Sequence, residues 1–98
     1  MKYKIHKLFN RGYEATVKRG CITSQTKPID FFNKFDEETQ EVRDSANNRS
    51  EHLMEVADVI EVGVNYLIYL REDPIKILEK VIEKNEQRAK EATNKLEK

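Results

Sequence analysis

The chain has little of what small folds use as staples and corners: one cysteine, two prolines, three glycines and no tryptophan in 98 residues. A single thiol, Cys21, cannot close an internal disulfide. So few glycines and prolines argue against the tight turns of a small sheet protein and for long helices. There is no uninterrupted apolar run either. Leu53 to Leu70 comes nearest, but Glu55, Asp58 and Glu61 lie inside it, and acids there oppose membrane insertion by roughly 3 kcal/mol each. The N-terminal MKYKIHKLFN lacks the apolar segment of a secretory signal, so a cytoplasmic protein without a membrane partner is expected.

Charge of one sign is missing as well, with 18 basic and 18 acidic residues. The balance is uneven along the chain. Residues 1–29 carry seven Lys or Arg against one Glu, and residues 30–61 carry ten acids against three bases. An acidic centre beside a basic start repels phosphate unless cations intervene, so no stable nucleic-acid partner is expected.

What is present is helical periodicity. Ile5, Leu8, Phe9, Tyr13 and Val17 predict a first helix over Lys4 to Arg19, stopped by Gly20. Ile29, Phe32, Phe35, Val42 and Ala46 mark one face of a second, Pro28 to Ala46, ended by NNRS. A third starts at Ser50 as cap and runs to Leu70, and a fourth opens with Asp73 as N-cap and Pro74 in its first turn. The fold class is thus all-α, a single domain over residues 1–98. So short a chain has a thin core, which predicts a four-helix bundle completed by oligomerisation, as a homodimer or homotetramer through helices two and three.

The third helix poses the chemical question, because a carboxylate among valines and isoleucines costs several kcal/mol unless its charge is matched. Glu55, Asp58, Glu61 and Asn65 fall on one stripe of that helix, the rest of which is expected to be buried. On the second helix Glu38 and Glu41 are neighbours at i, i+3, with Lys34 one turn earlier. The short NNRS link favours an antiparallel hairpin that turns the two acidic seams toward each other. Four facing carboxylates repel strongly at low dielectric, and a divalent cation resolves the repulsion. Oxygen donors without His or Cys select Mg²⁺ or Mn²⁺ over zinc, and open coordination positions then suit a polyphosphate. The bland alternative is a solvated acidic face, which fits Glu37, Glu38, Glu41 and Asp44 better than it fits Glu55 and Asp58.

EETQE (Glu37 to Glu41), thirteen residues, then EVAD (Glu55 to Asp58) resembles the EExxE…ExxD signature of the MazG-like all-α nucleoside triphosphate pyrophosphohydrolases. Lys34, the DP that opens helix four, KNEQR (Lys84 to Arg88) and ATVKRGCIT extend the likeness. The resemblance implies hydrolysis of a (d)NTP to (d)NMP and diphosphate at a Mg²⁺ centre. It implies Glu38, Glu41, Glu55 and Asp58 as metal ligands, and Glu37 with Glu38 as the catalytic carboxylates, Glu37 helping to position the water. Lys34, Lys84, Asn85 and Arg88 would be donors to the substrate. Many relatives continue with glycines and an aromatic residue where this chain reads AKEATNKLEK, so the C-terminal wall of the pocket departs from the family pattern.

Two other functions compete. Phosphoribosyl-ATP pyrophosphohydrolases have similar length and acidic motifs, but KNEQR favours the first reading. A catalytically inactive helical interaction module would use the near-heptad Ile75 to Leu96 for pairing and its acids for solubility. His6 and His52 lack a partner histidine at ligand spacing and are expected at the surface. Cys21 is expected to be structural, and Phe31, Phe32 and Phe35 to be core or subunit contacts.

Overall fold

The computed structural model describes residues 2–96 and consists of four helices: α1 (Lys2–Lys18), α2 (Pro28–Asp44), α3 (Arg49–Tyr69) and α4 (Pro74–Leu96). The all-α expectation holds, with each boundary within about two residues of the periodicity reading. Local chemistry explains the ends. Gly20 takes a left-handed φ of 78°, and the Gly20 and Cys21 N–H groups close α1 on the Val17 and Thr16 carbonyls in a Schellman motif. Arg71 does the same for α3 at φ 65°, with Arg71 and Glu72 N–H groups bonded to Ile68 and Leu67. Asp73 caps α4 as expected, its Oδ1 accepting the Ile75 N–H at 2.9 Å. The cap of α3 is Asn48, not Ser50: its side chain accepts the Glu51 N–H, and Ser50 is already helical.

α3 is the centre of the molecule, with α2, α1 and the start of α4 packed on it. The inward face of α2 is Phe31, Phe35, Glu38, Val42 and Ser45, each buried or half-buried. Ile29, Phe32 and Ala46, expected on that face, are exposed. The 4-3-4-3 spacing of the true face is a coiled-coil seam, and the apolar pattern missed it because two of its five members are polar. α3 answers with His52, Glu55, Val59, Val62, Tyr66 and Tyr69 at the same repeat.

The apolar core is small: Ile22, Phe31 and Val62, with Tyr13, Phe35, Tyr66 and Tyr69 around it. Phe31 sits between Tyr66 and Tyr69 at ring-centroid distances of 4.8 and 4.9 Å. The Tyr69 hydroxyl donates to the Thr26 carbonyl at 2.7 Å, tying the α1–α2 loop over this end.

α3 is not buried on most sides as expected; Leu53, Met54, Val56 and Ile60 are exposed. Beyond Pro74, Ile75 and Ile77, α4 leaves the body, and Leu78, Val81 and Ile82 face solvent. The radius of gyration is 16.7 Å, against about 13 Å for a compact domain of this length. This chain alone is therefore a hairpin with two flanking helices and uncovered apolar faces. Among the described residues, no helix is long and apolar enough to cross a membrane.

Candidate metal and phosphate site

Glu38 occupies a seam position of α2 and Glu55 the matching one of α3, so hairpin pairing itself drives two carboxylates together. Glu38, Glu55 and Asp58 each offer an oxygen within 4.8 Å of the others, and Glu37, Glu38 and Glu41 form a second such group through the shared Glu38. Glu38 is 6% exposed. Its Oε2 and the Oε2 of Glu55 are buried without a hydrogen-bond partner.

Among the described residues, Lys34 is the cation seen paired with the cluster. Lys34 Nζ lies 3.0 Å from Glu38 Oε1 and 3.3 Å from Glu37 Oε1. Its hydrogen bond to Glu38 raises the ammonium pKa above the ordinary lysine value. One ammonium does not balance the carboxylates gathered here, and Glu41 registers the excess: the charge of Glu38, then a hydrogen bond with Glu55, pushes its pKa up to about 7. The cluster thus gathers more negative charge than Lys34 offsets, and two of its buried carboxylate oxygens have no hydrogen-bond partner. The donors are all hard oxygens, which fits Mg²⁺ or Mn²⁺.

Of the residues expected at the site, the fold brings Lys34, Glu37, Glu38, Glu41, Glu55 and Asp58 together. Lys84, Asn85 and Arg88 are exposed on the projecting part of α4 and do not line the cavity beside the acids. That cavity, of about 360 Å³, runs from Glu38 and Asp58 past Phe31 and Val62 to Asn65, with Arg19 and Cys21 also on its wall. Cys21 is exposed rather than structural, because the Schellman turn at Gly20 directs the chain outward before Ile22 enters the core.

Neither histidine is simply a surface group. His6 Nε2 is 3.0 Å from Asp73 Oδ2, and this hydrogen bond is the main reason the Asp73 pKa falls below the usual aspartate value. His52 Nδ1 lies 3.1 Å from the Val42 carbonyl and 3.1 Å from the Ser45 hydroxyl. It closes the carboxylate end of the hairpin together with Ser45, whose hydroxyl donates to the same carbonyl. Sequence reasoning placed Asn65 on the polar stripe but gave it no role, and it passed over Thr16. The available signal was Asn65 lying two turns from Asp58 on the same side of α3.

No protein-family model, curated protein or solved structure matches the chain.

Proposed function

We propose that the protein is a Mg²⁺-dependent nucleoside triphosphate pyrophosphohydrolase of the MazG-like all-α type, converting a (d)NTP and water to (d)NMP and diphosphate in nucleotide-pool house-cleaning. The observation that carries this reading is the pair of orphaned buried oxygens, Glu38 Oε2 and Glu55 Oε2, in one cluster with Asp58. Glu38 takes Lys34 at one oxygen, yet its other oxygen and Glu55 Oε2 still lack a donor, which buried structural carboxylates rarely do.

Glu38, Glu55 and Asp58 would hold the cation, with Glu41 completing the set from the rim. When bound, it supplies positive charge that polarises phosphoryl oxygens and stabilises the charge developing in the transition state. Lys34 donates to phosphate oxygens, exchanging its contact with Glu37 for one with substrate. Glu37, exposed beside Glu38, orients the water whose oxygen attacks the α-phosphorus as diphosphate leaves. Lys84, Asn85 and Arg88 reach substrate only from a second copy, so the active form is a homodimer or homotetramer. The exposed Leu53, Met54 and Ile60 of α3 and Leu78, Val81 and Ile82 of α4 support that assembly, since such apolar surface marks association faces.

The test is incubation of the purified protein with NTPs and dNTPs plus Mg²⁺, resolving diphosphate from orthophosphate. Diphosphate and monophosphate in equal amounts are expected. Orthophosphate release, or no turnover of any nucleotide, overturns the reading. Turnover absent together with saturable capture of a helical partner would favour the interaction module, for which the same exposed apolar faces on α3 and α4 speak.

A further inference from the structure

Asn65 is 5% exposed and lies on the stripe of α3 that carries Glu55 and Asp58. Its amide orientation follows from its neighbour. The Thr16 hydroxyl donates its single proton to the Gly12 carbonyl at 2.9 Å, so toward Asn65 it only accepts. Asn65 therefore turns Nδ2 to Thr16 Oγ1, at 3.3 Å, and Oδ1 away. That Oδ1 is buried with no hydrogen-bond partner. A native fold rarely leaves such an atom bare, and the lost hydrogen bond calls for an explanation.

The cavity beside the acids supplies one. Asn65 lines it, along with the apolar Ile22, Phe31 and Val62, while Glu38 and Asp58 line it as well. Ile22, Phe31 and Val62 form an apolar patch, the kind of surface that takes the flat body of a ligand, within a wall otherwise polar and charged through Thr16, Arg19, Asp30, Lys34 and Glu61. Asn65 follows Asp58 by seven residues, roughly 10 Å of helical rise, which matches the reach of a nucleoside monophosphate from its phosphorus to the far edge of its base. Oδ1 has almost no surface of its own, so a donor reaches it through the kind of side-chain adjustment that commonly accompanies binding.

We propose that Asn65 reads the base of the substrate, its Oδ1 accepting an N–H from the base's hydrogen-bonding edge between Phe31 and Val62, with Thr16 as the residue that positions the amide. This rests on the nucleotide reading above. A base of any kind whose edge offers an N–H is accepted, and one whose edge is fully alkylated is rejected.

The experiment compares kcat and KM of the full chain with Mg²⁺ for dUTP against N3-methyl-dUTP and dCTP against N4,N4-dimethyl-dCTP, with matched purine pairs. In the unaltered protein, methylation should raise KM by roughly tenfold to a hundredfold, the scale of one lost buried hydrogen bond. In Asn65→Leu the parent nucleotide should lose the same factor and the methylated one should not, while the Mg²⁺-induced rise in Tm is retained. Thr16→Val should reproduce part of the loss and Thr16→Ser should restore binding, a distinction that carries the test if Asn65→Leu does not fold. Equal discrimination by the unaltered protein and the variants overturns the inference and leaves the nucleotide reading standing. Absence of turnover and of binding for every nucleotide overturns both.

Discussion

The two halves of the α2–α3 hairpin use one geometry for opposite purposes. Toward the α1–α2 loop, the seam positions are Phe31, Tyr66 and Tyr69, and their rings meet in tilted pairs that contribute burial and about 0.5–1.5 kcal/mol per pair beyond it. Toward the α2–α3 turn, the equivalent positions are Glu38 and Glu55, carboxylates whose proximity raises the pKa of Glu41. The lesson is that the aromatic half holds the helices in register so that the acidic half can keep several carboxylates close although Lys34 pairs with only two of them.

The largest effect should come from removing the support. Phe31→Ala deletes the central ring of a very small core and should destabilise by about 3–5 kcal/mol, enough to leave much of the chain unfolded by circular dichroism. The same substitution would show only about half that loss if the acidic half held itself together.

Next in size is the chemistry. Asp58→Asn keeps shape and removes a ligand charge, so kcat for diphosphate release should fall at least about a hundredfold, with Tm in the absence of metal unchanged or raised. An unchanged kcat would mean that the acids serve only the fold.

A pH series sharpens the comparison further. The Glu41 carboxyl is raised from 4.5 to about 7 by Glu38 and Glu55. A raised folded-state pKa contributes stability that is complete below 4.5 and lost as pH rises through about 7. Without divalent cation, Tm should therefore fall between pH 5 and pH 8, and Glu41→Gln should flatten that fall. Saturating Mg²⁺ should raise Tm most at the alkaline end, where the carboxylates are charged. A Tm equally insensitive to pH with and without Mg²⁺ would argue against a shared site.

The smallest effect belongs to the far end of α3. Arg71 holds a left-handed φ of 65°, which costs a non-glycine residue about 1–2 kcal/mol. Arg71→Gly should raise the urea midpoint by the equivalent of about 1 kcal/mol, leaving the metal response of the acidic half as it was.

Much of this was legible from the order of residues. Helix number, the antiparallel hairpin and the meeting of Glu38 with Glu55 and Asp58 follow from periodicity and from one short link, because local spacing dictates which side chains share a face. The inward face of α2 was misread through Ile29, Phe32 and Ala46 because an apolar pattern cannot recognise a seam that contains Glu38 and Ser45. His52 and His6 were misplaced for a related reason: their partners, the Val42 carbonyl and Asp73, are a backbone atom and a residue 67 positions away.

By itself, then, the sequence determined an all-helical chain with paired acids on two successive helices, since helical repeat and turn chemistry act within a few residues. Only the tertiary structure decided that Glu38 and Glu55 are left with unpartnered oxygens and that Lys34 is already engaged. It also decided that Asn65 turns a bare carbonyl away from Thr16 and that Lys84, Asn85 and Arg88 stand apart from the acids. These outcomes depend on which atoms of distant segments arrive within hydrogen-bonding distance. That is a property of packing around one small aromatic core, and no local pattern encodes it.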